Sequence, residues 1–385
     1  MESQETEENA PAPADTRYSA MDNAGAFKAA EKRFKACSSL DDSLALGAID
    51  LSSSSVAATR NMTISEVEVF GQRHKAYMLD GYDGAYIISG VLPRAKQVEL
   101  AYSVLSESLA PPNRTNLHCH YTPEQIESDL QDIWRRDGPS LDDLDVGDEP
   151  KADDAAATIS SSSSSSKRKG KGSRIHEGPR LPAHLTLSKV RWATLGYQYD
   201  WTSRSYERSA YCPFPKQLGE LAARLATACG VGFSITPEAG IVNLYPVGQV
   251  MGGHVDDGEE AKESPVVSLS LGPPCIFLLG GHSKDEPPAP VLLRSGDVLI
   301  LGGKSRLKYH GVPRVFVAEG PPKELLPSTA GADPIHRSGC PSFLVTEAEG
   351  TAGCTCGLVE TKEVRRALKV LSCARINVNL RQVYR

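Results

Sequence analysis

The chain lacks any apolar run long enough to cross a bilayer or to serve as the core of a secretory signal, so neither membrane spanning nor export is expected. It lacks the arginine-rich, acid-poor start of a mitochondrial transit peptide, because Glu2, Glu5, Glu7 and Glu8 crowd its first residues. It lacks a disulfide framework: the nine cysteines are an odd number without a secretory signal, which predicts free thiols in a reducing compartment. Zinc-knuckle spacing is missing as well. Cys340, Cys354, Cys356 and Cys373 offer only a C-x-C, and His118, Cys119 and His120 have no further ligands close by, so both groups read as unliganded. These absences place the chain in the nucleus, the cytoplasm or both, with the mitochondrion left open.

Two stretches have too little apolar surface to offset the entropy lost on ordering. Residues 1–70 are rich in Ser, Ala and Glu and are expected to be a mostly disordered tail, with a short helix near Ala24 to Cys37. Residues 137–173 carry an acidic run from Asp142 to Asp154, then a serine tract and KRKGKGSR, the composition of a disordered insertion. Lys167, Arg168, Lys169 and Lys171 read either as a localisation or nucleic-acid patch or as a solvated cluster. The formal net charge is −6, yet the acidic excess lies in the first 173 residues and the remainder is mildly basic.

Between these stretches, residues 71–136 predict strands and supporting helices. Val98, Tyr102 and Leu105 share one helical face, and Pro93 suits that helix's first turn. Residues 174–385 form the main unit, interrupted by an irregular insertion at 321–357. Within it a helix is expected from Lys216 to Cys229, its apolar face made by Leu218, Leu221, Ala222, Leu225 and Cys229, with Gly230 ending it. A second is expected from Lys362 to Leu371. The runs IVNLY, VVSLSL, CIFLLGG, PVLLRSG, DVLILGG and RLKYHGV follow one another with no helix between, which argues for antiparallel sheets and against βαβ units. The fold predicted is α+β, a double-stranded β-helix (jelly roll) core with flanking helices and long disordered segments.

The stretch IVNLYPVGQVMGGHVD, Ile241 to Asp256, carries the chemistry. In an extended strand His254 and Asp256 point to one face while Asp257 points away. One imidazole, one carboxylate and a second, distant histidine make the facial triad of non-haem Fe(II) oxygenases, and His310 is the candidate third ligand. His282, in a Gly/Pro-rich loop, reads as a surface histidine. Near the C-terminus, alternation puts Arg375, Asn377, Asn379 and Arg381 on one face of a final strand from Ala374 to Tyr384.

Asn243-x-Tyr245, then His254-x-Asp256, then His310, then RINVNLR from Arg375 to Arg381 form an ordered set that resembles the signature of the AlkB family. The segments RWATLGYQYDW, SLGPPCIFLLGG, SGDVLIL and SRLKYHGVPRV resemble its homologue-one branch. The resemblance runs from about Tyr77 to the C-terminus with interruptions and is weak before Arg191. It implies Fe(II) on His254, Asp256 and His310, with 2-oxoglutarate and O2 as co-substrates and no catalytic group beyond the metal ligands. Arg375 would hold the distal carboxylate of 2-oxoglutarate, aided by Tyr245 and Asn377, with Arg381 and Asn243 near the metal-proximal carboxylate. On the substrate side it implies an aromatic lid, for which Trp192, Tyr199, Trp201 and Tyr206 are the candidates, and Arg306 and Lys308 stand where a phosphate backbone would lie.

The activity implied is oxidative demethylation of a methylated base in nucleic acid, releasing formaldehyde, succinate and CO2. The base would be single-stranded or flipped, with tRNA or other RNA ahead of DNA, and the enzyme is expected to be a monomer. Two other readings stand beside it, a protein (histone-like) hydroxylase or demethylase with the same metal site, and an iron-independent abasic-site lyase.

Overall fold

A computed structural model describes residues 25–52, 62–119, 121, 189–229, 233–317 and 362–384. Its first elements are α1 (Ala26–Lys35), α2 (Leu40–Ala45) and β1 (Ile49–Asp50). There follow β2 (Met62–Val69), β3 (Gln72–Leu79), β4 (Ala85–Ile88), α3 (Arg94–Ser103) and β5 (Arg114–Thr115). After residue 188 come β6 (Trp192–Asp200), β7 (Ser205–Tyr211), α4 (Lys216–Ala228), β8 (Ala239–Pro246) and β9 (Met251–His254). The run of strands continues with β10 (Val266–Leu271), β11 (Cys275–Leu279), β12 (Ala289–Leu293), β13 (Val298–Leu301) and β14 (His310–Val315), and α5 (Lys362–Cys373) precedes β15 (Ala374–Arg381).

These strands make two sheets of a double-stranded β-helix core. The smaller has the order β1-β12-β11-β14-β9; the larger runs β2-β3-β4-β13-β10-β15-β8-β6-β5, with β7 paired to β6. Among the described pairings only β1 with β12 is parallel. Alternation along each strand sends one set of side chains between the sheets. Tyr77, Ile87, Tyr245, Leu299 and Leu301 of the larger sheet meet Phe277, Leu279, Val291 and Val312 of the smaller. The opposite face of the larger sheet is covered by α3, α4 and α5 through Val98, Ala101, Leu221, Leu225, Val370 and Leu371. Each such side chain taken from water contributes roughly 1.5–3 kcal/mol. The β2–β3 hairpin turns through Phe70 and Gly71, both at positive φ (54° and 70°), as a two-residue turn matched to the strand twist requires.

The N-terminal stretch corrects the expectation of a mostly disordered 1–70 tail. The helix foreseen near Ala24 to Cys37 is α1, but order extends to Leu51, and β2 begins ahead of the boundary set at residue 71. Phe27, Phe34 and Cys37 are buried against Ile276, Leu278, Leu292 and Phe316 on the outer face of the smaller sheet. Arg294 then clamps Asp50 through two contacts of 2.5 and 2.8 Å, tying β1 to β12. Local composition underestimates this segment because its few apolar residues find their partners some 240 positions along the chain. Residues 1–24, the insertions at 137–173 and 321–357, and Cys340, Cys354 and Cys356 lie outside the described residues.

Candidate metal centre

The two strands that carry the histidines are neighbours in the smaller sheet, where His310 on β14 pairs directly with His254 on β9. That register, which no local pattern announces, puts the imidazole centroids 4.4 Å apart. Asp256, two residues past His254, sits between them: its Oδ1 is 3.8 Å from His254 Nε2 and its Oδ2 is 3.8 Å from His310 Nε2. The three candidate ligand atoms all lie within 4.8 Å of one another. Both imidazoles are oriented by their far nitrogens, since His254 Nδ1 faces the Gly252 carbonyl at 3.0 Å and His310 Nδ1 the Lys308 carbonyl at 3.2 Å. A carbonyl can only accept, so each Nδ1 carries the proton and each Nε2 keeps its lone pair for a metal. Asp257 turns away to Arg204 on the surface, 3.1 Å from its guanidinium.

Electrostatics keep His310 and Asp256 in their ligating forms. Burial, and secondarily the nearby His254, pushes the His310 pKa down to about 4, so the ring is neutral at physiological pH. For Asp256, burial works against ionisation, but Arg381, the two histidines and Arg306 more than offset it and hold the carboxyl below the usual carboxylate range. Arg381 donates to Asp256 Oδ2 at 3.0 Å and to Glu259 Oε1 at 2.7 Å. Arg306 donates to the Asp256 carbonyl at 2.6 Å and to Glu259 Oε2 at 2.9 Å.

The triad stands at one end of a pocket between the two sheets, lined also by Tyr245, Met251, Ser268, Phe277, Leu299, Arg375, Asn377 and Asn379. Arg375 is 2% exposed. Its Nη2 reaches Ser270 Oγ at 2.9 Å and its guanidinium stands 5.6 Å from the Tyr245 ring, but its Nη1 is buried with no hydrogen-bond partner. A buried guanidinium without a counter-charge costs several kcal/mol unless an anion joins it. A small dicarboxylate with one end on the metal and the other on Arg375 fits this donor set. Fe(II) fits the other end, because two imidazoles and one carboxylate leave coordination positions open.

A family model described as the 2OG-Fe(II) oxygenase superfamily matches residues 148–381. The chain belongs to that superfamily, and within it to the AlkB family. Several of its relatives there lie on the ALKBH1 branch. It is 36% identical over 249 residues to the DNA N(6)-methyladenine demethylase ALKBH1A of Arabidopsis thaliana, covering 63% of this chain and 67% of that one. It is 31% identical over 285 residues to the nucleic acid dioxygenase ALKBH1 of Homo sapiens, covering 71% and 64%. The tRNA demethylase abh1 of Schizosaccharomyces pombe is 32% identical over 239 residues, covering 60% and 68%. Thus the chain spans about two thirds of the length of these relatives.

The remaining expected residues of this AlkB-family dioxygenase divide into those that reach the cavity and those that do not. Tyr245 lines it, with its hydroxyl 3.4 Å from Met251 Sδ, a weak acceptor. Asn377 lines it too, although its amide nitrogen is committed to Ser268 Oγ and the Leu269 carbonyl at 2.7 and 3.0 Å and braces β10 against β15. Asn243 is buried opposite Asn377 in the β8–β15 register and is not among the lining residues. Arg381, expected to touch the co-substrate, is instead an ion-pair partner of Asp256 and Glu259, because its position on β15 brings it beneath the acidic loop.

Two of the substrate-side expectations are corrected. Arg306 is 2% exposed and fully occupied by Ser264, Asp256 and Glu259, so it faces no phosphate. Tyr206 is 9% exposed, with its hydroxyl 3.3 Å from Glu259 Oε1. Lys308 lies over the Tyr82 ring and donates to the Gly81 carbonyl at 3.0 Å. Trp192, Trp201 and Tyr199 do cluster, at centroid separations of 5.2 and 4.8 Å, on the β6–β7 hairpin. That hairpin is fastened to the loop after Asp256 by Arg204–Asp257 and Arg208–Glu260 contacts of 3.1 and 3.0 Å. Glu259 was missed by sequence reasoning. Its side chain is fully buried between two arginines, and only the H-x-D-x-x-E spacing hinted at it.

Proposed function

We propose that this dioxygenase removes methyl groups from bases in nucleic acid, with RNA, and tRNA first, as its substrate. The observation that carries the co-substrate half is the unpartnered Nη1 of Arg375 in the same cavity as the triad. The substrate half is supported by the activities for which the relatives are named and by the aromatic hairpin beside the metal loop. Bound Fe(II), with 2-oxoglutarate and O2, supplies oxidation of an N-methyl C–H bond, after which formaldehyde leaves the base and succinate and CO2 leave the co-substrate. Arg375 and Tyr245 orient the distal carboxylate, and the apolar wall of Val266, Leu299, Leu301 and Val312 excludes water along its length. Arg381 and Arg306 hold Asp256 ionised and fixed in place. Trp201 presents a buried indole N–H without a partner, a donor suited to the edge of an inserted base.

The test is succinate release by anaerobically Fe(II)-loaded protein supplied with 2-oxoglutarate and O2, with and without bulk tRNA, with mass spectrometry of the nucleosides. Loss of one methylated nucleoside with matching formaldehyde, abolished in His254→Ala and Arg375→Ala, is the expected result. Turnover with unchanged RNA and DNA nucleosides would point to a protein substrate. Strand cleavage that survives His254→Ala would point to the lyase.

A further inference from the structure

The helix α1 lies outside the segment matched by the family model, yet it reaches the residue next to a metal ligand. Its Glu31 is 8% exposed, and its Oε1 accepts a hydrogen bond from the Gly253 amide at 2.5 Å, while Oε2 pairs with Lys28 at 2.9 Å. The Gly253 N–H and the Gly252 carbonyl belong to one peptide unit, and that carbonyl is the acceptor for His254 Nδ1 at 3.0 Å. A carboxylate, a peptide and the imidazole of a ligand are thus joined in series. In addition β9 is the edge strand of the smaller sheet, so among the described residues no neighbouring strand holds this peptide on its outer side.

The approach of α1 is set by a close fit. A Cβ on Gly253 would stand 2.4 Å from Phe27 Cε1, and one on Gly280 would stand 2.7 Å from Phe27 Cε2. Gly253 on β9 and Gly280 just past β11 therefore make the slot that admits the Phe27 ring, one helical turn before Glu31. The Phe27 amide is anchored in turn to the Lys284 carbonyl at 2.9 Å.

We propose that Glu31 is a positioning residue for the metal centre, acting on His254 through the Gly252–Gly253 peptide. A negative charge on the N–H side polarises the amide, strengthens its carbonyl as an acceptor, and so fixes the Nδ1–H tautomer and makes Nε2 a better donor to the metal. This is the carboxylate–histidine arrangement of many metal sites with one peptide interposed. It gives the N-terminal segment a part in metal affinity, and it rests on the reading of His254 as a ligand.

The experiment is Co(II) titration of the full-length apo protein, followed by visible absorption, together with thermal unfolding and hydrogen exchange of the Gly253 amide. Glu31→Ala is expected to weaken Co(II) binding about 10- to 100-fold, the range for lost outer partners of a ligand. Glu31→Gln, which keeps an acceptor without the charge, should recover about half of that loss on a logarithmic scale. Val98→Ala, on the core-facing side of α3, should lower the melting temperature and leave Co(II) affinity unchanged, which separates positioning from general stability. A folded Glu31→Ala that binds Co(II) within about twofold of the parent overturns the proposal. If Glu31→Ala does not fold, Glu31→Gln decides it: a loss of affinity supports the coupling and parental affinity overturns it. His254→Ala tests the site by itself, since undiminished Co(II) binding there would sink the metal centre, whereas its loss beside an unaffected Glu31→Ala would sink only the role of Glu31.

Discussion

Two arginines on one face of β15 are buried to almost the same degree and differ in what they touch. Arg381 is 4% exposed and spends both terminal nitrogens on carboxylates, those of Asp256 and Glu259. Arg375 is 2% exposed and spends one terminal nitrogen on a serine hydroxyl and the other on nothing. Burial alone would rank them equal. Charge balance separates them: the paired arginine completes a structure that holds Asp256 still, and the unpaired one keeps a buried donor that an anion would satisfy. The same strand therefore carries a charge-paired arginine at one end and an unpaired one at the other.

The largest test of this contrast is Arg381→Met. It leaves Asp256 and Glu259 with too few partners and should cost about 3–5 kcal/mol of stability in chemical denaturation of the apo protein, whereas Arg375→Met, which removes an unpaired charge, should leave apo stability unchanged or raise it. Equal losses in the two variants would erase the distinction.

Next in size is the response to acid. The folded-state pKa of His310 lies below its unfolded value, so protonation favours the unfolded chain. Its contribution is complete above about pH 6.5 and is lost as pH falls through about 4. The loss is on the order of 3 kcal/mol for this fully buried ring, and Asp256 extends it to lower pH in the same direction. Urea midpoints measured between pH 7 and 4 should fall in the metal-free protein. Saturating Co(II) should raise the midpoint at pH 7 and lose that effect toward pH 4, where protons compete for the ligand.

Arg375→Met should then weaken 2-oxoglutarate binding by about 2–3 kcal/mol, 30- to 150-fold, in calorimetric titration of the Co(II)-loaded protein. Arg375→Lys should recover only part of this, because an ammonium cannot make the forked contact. Co-substrate affinity unchanged in Arg375→Met would move the anion site elsewhere. The smallest effect belongs to Tyr206→Phe: Glu259 retains both arginines, so about 1 kcal/mol of stability is expected to go, with Co(II) affinity unchanged.

The helices Lys216–Ala228 and Arg94–Ser103 were legible from three- and four-residue spacing, and the strands from Ala239 to Val315 from short apolar runs punctuated by Gly and Pro. His254 and Asp256 were legible because an extended chain puts residues i and i+2 on one side. Arg306 misled because a positive charge next to a ligand reads the same on the surface and inside; only Glu259, 47 positions away, makes it internal. Tyr206 misled likewise, since an aromatic lid and an aromatic core have one composition. The N-terminal helix was visible as a helix, but its docking was not, because Phe27 is held by glycines that mean nothing until β14 brings β9 and the end of β11 into one sheet.

By itself the sequence determined which residues could ligate, which segments could be strands, and the order in which the chemistry appears, because these depend on residue type and on periods of two and 3.6. The tertiary structure alone decided which charges are paired. It joined His310 to His254 within a sheet, closed Glu259 between two arginines, left Arg375 without a counter-charge, and brought Glu31 to the peptide before His254. Pairing is a property of distance in space, and antiparallel strands bring together residues that the chain keeps far apart.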